Sequence, residues 1–204
     1  MRRGQWLIII GLGVLLVGAL VVGISLLNAP NSTSVVIEQS PCQQSAEGEC
    51  LRLPTISGAN LDAQTAEFPR QLTGRLNLVV MPFDRDQQIA ALDWLPILQD
   101  LALTDPTMTV YSLAALDATR IAPLFRTVIA QTMSAAVSEP ALRANTYLFF
   151  VEEQARFIEA LGIPHIEQMQ VLVLNPAGEV LFAQAGAYSP EAETRLRDAV
   201  QDLR

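Results

Sequence analysis

The sequence predicts an α/β fold, a mixed β-sheet flanked by helices and preceded by one N-terminal transmembrane helix, and three observations carry that expectation. Residues 78–81, Leu-Val-Val-Met, form an unbroken apolar run of the kind a strand covered on both faces requires. From residue 75 to residue 203, strand-like and helix-like segments alternate, as layered α/β domains do. The amino end carries a long run without charge.

That run comes first in the chain. Arg2 and Arg3 precede residues 6–27, 22 residues in which Ser25 is the one polar side chain. As a helix the run is roughly 33 Å long, enough to cross a bilayer. It exceeds the apolar core of about 7 to 15 residues found in a removable signal and fits a small-x-small cleavage site poorly, although cleavage after Ala29 stays open. No basic residue follows Arg3 until Arg52, so the amino end is expected in the cytoplasm and the rest outside it. The predicted organisation is a single-pass signal-anchor over 1–28, a linker and a Cys-bracketed loop over 29–50, and a folded domain over 51–204. Within the linker, residues 34–37 read as a short strand.

Composition removes several function classes. Residues 28–204 hold 11 basic and 21 acidic side chains, a formal charge of 11 − 21 = −10. This balance argues against nucleic acid and against anionic lipid head groups as partners. The chain has no lysine, which excludes Schiff-base chemistry and the P-loop lysine. Its one histidine, His165, excludes a zincin pair and reads as a solvated loop side chain. No cofactor and no metal is expected.

Cys42 and Cys50 bracket seven residues, QQSAEGE. In an oxidising compartment two cysteines so close in sequence most simply pair with each other, and closing such a loop stabilises a fold by about 2 to 3 kcal/mol. A redox-active dithiol is the other reading. It lacks both Cys-x-x-Cys spacing and a neighbouring cation to hold a thiolate.

Residues 51–74 read as a short strand, a turn and the sequence Leu72-Thr73-Gly74-Arg75 ahead of the strand at 78–81. After Pro82, Asp84 or Asp86 can cap a helix whose apolar positions are Ile89, Leu92, Leu95, Leu98 and Leu101, with a kink expected at Pro96. Residues 107–113 form the next predicted strand. Residues 121–137 form a helix ended by Pro140, with Leu124, Phe125, Val128, Ile129 and Met133 on a core-facing side. A strand at 145–151, a helix at 152–161 ended by Gly162, a hairpin of 170–174 and 180–185 around Asn-Pro-Ala-Gly, and a final helix capped by Ser189 complete the pattern.

A strand running into a proline-containing helix, followed by this alternation and a Leu-x-Gly-basic entry motif, resembles the thioredoxin superfamily, in particular redoxin-like periplasmic thiol-disulfide oxidoreductases. The resemblance implies a thioredoxin-like mixed sheet over residues 75–203. It also implies two thiol positions eight and five residues before the helix proline, which here are Gln88 and Ala91, and a cis-proline position that falls on Met169. Asp84, Arg85 and Asp86 then stand at the edge where such proteins do their chemistry. Residues 145–163 and 171–193 are also loosely similar to mitochondrial ATP synthase assembly factors, thioredoxin-like proteins without the usual motif. The expected function is a membrane-anchored, extracytoplasmic binding or assembly module without a redox site, working with a protein partner. The alternative is an extracytoplasmic thiol-disulfide oxidoreductase that uses Cys42 and Cys50.

Overall fold

The computed structural model describes residues 42–204. The expected anchor at 6–27, its flanking Arg2 and Arg3, and the expected strand at 34–37 lie outside the described residues. Among the described residues no helix is long and apolar enough to cross a membrane.

Seven strands form one mixed sheet. In chain order they are β1 (Ile56–Asn60), β2 (Thr65–Phe68), β3 (Leu76–Met81), β4 (Met108–Asp117), β5 (Thr146–Val151), β6 (Gln170–Leu174) and β7 (Val180–Ala185). Across the sheet the order is β2-β1-β5-β4-β3-β6-β7. β3 is an interior strand, parallel to β4 and antiparallel to β6, and all six of its residues are buried, as its apolar run predicts. Its one polar member, Asn77, is fully buried and satisfied. Its Oδ1 accepts from the Gly74 amide at 2.9 Å, and its Nδ2 donates to the Gly74 carbonyl at 2.9 Å and the Leu174 carbonyl at 3.3 Å. The Leu72–Arg75 entry motif is thereby tied to the strand it precedes. Any side chain at Gly74 would run into the backbone of Leu76 and Thr109.

Parallel neighbours need crossovers, and these supply the helices. Between β3 and β4 lie α1 (Arg85–Ala91) and α2 (Leu95–Thr104), and between β4 and β5 lie α3 (Pro123–Ala136) and α4 (Pro140–Asn145). α5 (Gln154–Ala160) joins β5 to β6, and α6 (Pro190–Asp202) closes the chain. One face of the sheet carries α1, α2 and α6, with Leu78, Val80 and Val171 under Trp94, Leu98, Leu196 and Val200. Strand pairing puts Ala114 and Leu148 on that same face, so α3, which packs against them through Ala130 and Met133, is a neighbour of α1 and α2. The opposite face is closed by α5 and by the segment before β3. There Phe68 meets the rings of Tyr147, Phe149 and Tyr111 edge-on at 4.9, 5.3 and 5.9 Å.

Five expectations are corrected or extended. Pro96 does not kink a continuous helix: the helix breaks at residues 92–94, and Pro96 sits in the first turn of α2, where its missing N–H costs nothing. Ile89 and Leu92 point outwards, 60% and 56% exposed, because Trp94 takes the inward position at the break. α3 has no fully buried residue, with Leu124, Phe125 and Val128 at 77%, 60% and 51% exposure. The strand expected at 107–113 extends to Asp117, since Ala114–Asp117 is paired along β5 despite its low β-propensity. Pro140, expected as a terminator, also opens α4. The later elements follow the expected pattern. Gly162 has φ +65° and closes α5 with Ile163 N donating to the Ile158 carbonyl at 2.9 Å, and the Ser189 hydroxyl accepts from the Ala192 amide at 3.2 Å to cap α6.

Candidate functional site

Parallel strands β3 and β4 point their carboxyl ends the same way, β4 running on to Asp117 past the exit of β3 at Met81, and crevices beyond the carboxyl ends of such strands are the common ligand sites of α/β sheets. Here the chain builds that edge from Pro82 onwards. Asp84 caps α1, accepting from the Gln87 amide at 2.8 Å and from Gln87 Nε2 at 3.1 Å. Gln87, itself buried, reaches back to accept from the Phe83 amide at 2.9 Å and across to donate to the Ile166 carbonyl at 2.7 Å. One side chain thus joins the strand exit, the helix start and the loop ahead of β6. The capping pattern Asp-x-x-Gln is legible in the sequence at 84–87, but the reach to Ile166 is tertiary.

Beside this edge a cavity of about 590 Å³ opens to solvent between α1 and α3. Its floor includes Phe83 and Leu116, its α3 wall includes Val128, Ile129 and Met133, and Arg85 and Gln88 lie on its α1 wall. At the rim, Asp117 Oδ1 accepts from the Thr119 hydroxyl at 2.6 Å and amide at 2.9 Å, while Arg120 Nε lies 3.0 Å from Asp117 Oδ2. The Thr119 hydroxyl, then its amide, and the Arg120 guanidinium hold the Asp117 carboxyl below its ordinary range, so it stays an anion satisfied by its own turn. Cys, His, Ser and Lys are missing from the lining, and the hydroxyl of Thr132 is donated to the Val128 carbonyl at 2.8 Å. The arrangement suits the burial of an apolar group. A second cavity, about 550 Å³, lies on the far flank of α3, against the β1–β2 hairpin.

The expected site residues fall in different places. Asp84 and Arg85 line the cavity, and Asp86 is exposed on α1 beside them. Gln88 lines the cavity one turn into α1, whereas Ala91 is the last residue of α1, buried against the sheet. Counting back from Pro96 crosses the break at 92–94, so these two positions lie inside α1 and not at its leading end. Met169 is buried and precedes Gln170, the partner of Met81, which puts it at the site end of the sheet. Cys42 and Cys50 form a disulfide at the other end. Their loop is held by Gln43 N donating to the Val180 carbonyl at 2.7 Å and Val180 N donating to the Leu51 carbonyl at 2.9 Å, next to the β6–β7 turn. Because β6 runs antiparallel to β3, that turn lies one strand length, roughly 17 Å, from the exit of β3. Among the described residues no cluster of His, Cys, Asp and Glu is placed to hold a metal ion.

No family model matches the chain, and no curated protein matches it in sequence. Solved structures do match. A putative thiol:disulfide interchange protein DsbE from Chlorobium tepidum has 10% identity and TM-score 0.51, the match covering 79% of this chain and 99% of that one. A putative electron transfer protein from Aquifex aeolicus has 13% identity and TM-score 0.51, covering 76% and 97%. Yeast Sco1 has 14% identity and TM-score 0.50, with the same coverage. At these identities the likeness is one of fold.

Proposed function

We propose that this chain, whose fold is thioredoxin-like, is an extracytoplasmic domain tethered by residues 6–27 that works as a binding or assembly module and carries no redox centre at the usual edge. One observation bears most of the weight. The strand exit and helix start hold Asp84, Arg85, Asp86, Gln87 and Gln88 beside an apolar cavity, with Asp84 and Gln87 hydrogen-bonded to each other and Gln87 to Phe83 and Ile166, while both cysteines are paired with each other roughly a strand length away. Gln88 and Ala91 stand for vacated thiol positions in this reading, and Met169 for the vacated proline. Asp84, Arg85 and Asp86 form a recognition edge for a protein partner. The uncharged run at 6–27 behind Arg2 and Arg3 supports the tether and its orientation.

The test is insulin reduction by the full chain in lipid nanodiscs, with and without the double substitution Cys42→Ser, Cys50→Ser. The expected result is a background rate for both. A rate above background that vanishes in the double variant overturns the proposal in favour of a thiol-disulfide enzyme. In intact cells, an impermeant maleimide should label the reduced cysteines from outside if the orientation is right.

A further inference from the structure

Of seven large apolar side chains exposed among the described residues, five are on α1, the turn that follows it, and α3: Ile89, Leu92, Leu124, Phe125 and Val128. Their spacing is ordered. On α1 and its following turn, Arg85, Gln88, Ile89 and Leu92 stand at i, i+3, i+4 and i+7, one helical stripe that begins at the cavity wall. On the other side Ile121, Phe125, Val128 and Thr132 stand at i, i+4, i+7 and i+11, and three of these four line the same cavity. The 590 Å³ cavity is thus the deep part of an apolar groove whose two walls are helical.

We propose that this groove docks an amphipathic helix of a partner protein whose apolar stripe is flanked by basic residues. The inference deepens the reading of the domain as a binding module and rests on it. The walls argue for a helix. They are helices whose backbone groups are paired within them, so an extended segment laid on them would leave its own amides and carbonyls unpaired against apolar surface, whereas a helix satisfies its backbone internally and packs onto other helices at 8–10 Å.

Charge names the sign of the partner. Residues 121–138 contain a single charged side chain, Arg126, which donates to the Ala118 carbonyl at 3.0 Å and the Ile121 carbonyl at 3.3 Å and lies 5.2 Å from the centre of the Phe150 ring. It is spent inside the fold, leaving the outer face of α3 uncharged. The other wall, residues 84–93, has Asp84, Asp86 and Asp93 against Arg85, a balance of 1 − 3 = −2, and neither Asp86 nor Asp93 is in an ion pair with another described residue. Basic groups on the partner would meet these acids. A bilayer fits poorly, since surface-lying helices take lysine and arginine on their polar face, whereas here Arg120 is paired with Asp117 and Arg85 is outnumbered by the acids of its own wall. A second copy fits poorly as well, because residues 42–204 carry 11 basic against 20 acidic side chains, 11 − 20 = −9, and two such domains repel.

The experiment uses the full chain in zwitterionic nanodiscs and two synthetic helical peptides with the same leucine stripe, one with lysine and one with glutamate on the flanks. Hydrogen exchange locates binding. The expected result is saturable protection of α1 and α3 by the lysine peptide, at concentrations at least tenfold lower than for the glutamate peptide. Leu92→Asp and Val128→Asp, at exposed positions, should each raise the required concentration at least tenfold while protection of α2 stays as in the parent. If either variant loses α2 protection it has unfolded, and Asp86→Lys then carries the test by abolishing the preference for lysine. Equal binding of both peptides, protection elsewhere, or peptide-free protection of the groove that grows with protein concentration overturns the proposal. Such an outcome leaves the thiol-independent reading intact, because that reading stands or falls on insulin reduction.

Discussion

Helices α2 and α3 lie on the same face of one sheet and each carries several large apolar side chains, yet α2 buries Leu95, Leu98 and Leu101 whereas α3 buries nothing completely. The floor beneath them differs. α2 rests on Leu76, Leu78 and Val80 and is hemmed in by Ala192, Leu196 and Val200 of α6. α3 lies over Ala114 and Leu148, with Ser57 and Ala59 of β1 lining the second cavity on its flank, and among the described residues no helix closes its outer side. Ala114, Ser57 and Ala59 are small, and a cavity lies on each flank of α3. The surface repeats the contrast. Arg197 of α6 donates to Glu193 at 2.8 Å and to Asp100 of α2 at 2.9 Å, cross-linking the tight pair. α3 is instead gripped near its carboxyl end by Arg143 of α4, which donates to the Val137 and Leu61 carbonyls at 3.1 and 2.9 Å, to the Ser134 carbonyl and hydroxyl, and to Asp62 at 2.8 Å. One helix is held by packing, the other by a polar clasp.

The largest expected effect tests the packing half of this contrast. Leu98→Ala should lower unfolding free energy by about 2–5 kcal/mol, while Val128→Ala should change it by less than about 0.5 kcal/mol, both read from urea melts. Comparable losses would erase the difference between the helices. Next is the clasp. Arg143→Met strands several carbonyls and should cost about 1–3 kcal/mol, with amide exchange accelerating in α3 and not in α2. Unchanged exchange in α3 would mean that something else seats it. The smallest effect concerns pH. The Arg197 hydrogen bond, followed by that of the Tyr188 hydroxyl, lowers the Glu193 carboxyl below its ordinary 4.5, so its contribution is full above that value and fades as pH falls through the depressed one. Glu193→Gln should therefore flatten the acid limb of thermal stability below about pH 4.5, by no more than about 1 kcal/mol for so exposed a pair. An acid limb identical to that of the parent would show that the tight pair owes nothing to this surface link.

What was legible in the sequence was the sheet and most of its helices, because the burial of β3, the turn at Asn175–Gly178 and the caps at Asp84 and Ser189 are local patterns. Gly178, at φ +82°, shows how a single residue can announce a turn. What failed were judgements of which apolar residues face inwards. Periodicity assigns Ile89 and Leu124 to a stripe but does not say whether a neighbour exists to cover it, and the break at 92–94 rotates the following turn. The cavity has no signature in the sequence for a related reason. Leu116, Met133 and Ile166 are ordinary apolar residues, brought together by the two crossovers and by the Gln87 bridge.

That bridge also bears on motion. Because the Gln87 amide grips Phe83 through its oxygen and Ile166 through its nitrogen, the strand exit and the loop entering β6 travel as a single jaw. Any opening of the crevice is then left to the opposite jaw, the helix that follows β4, which Arg143 grips near its carboxyl end, away from the crevice.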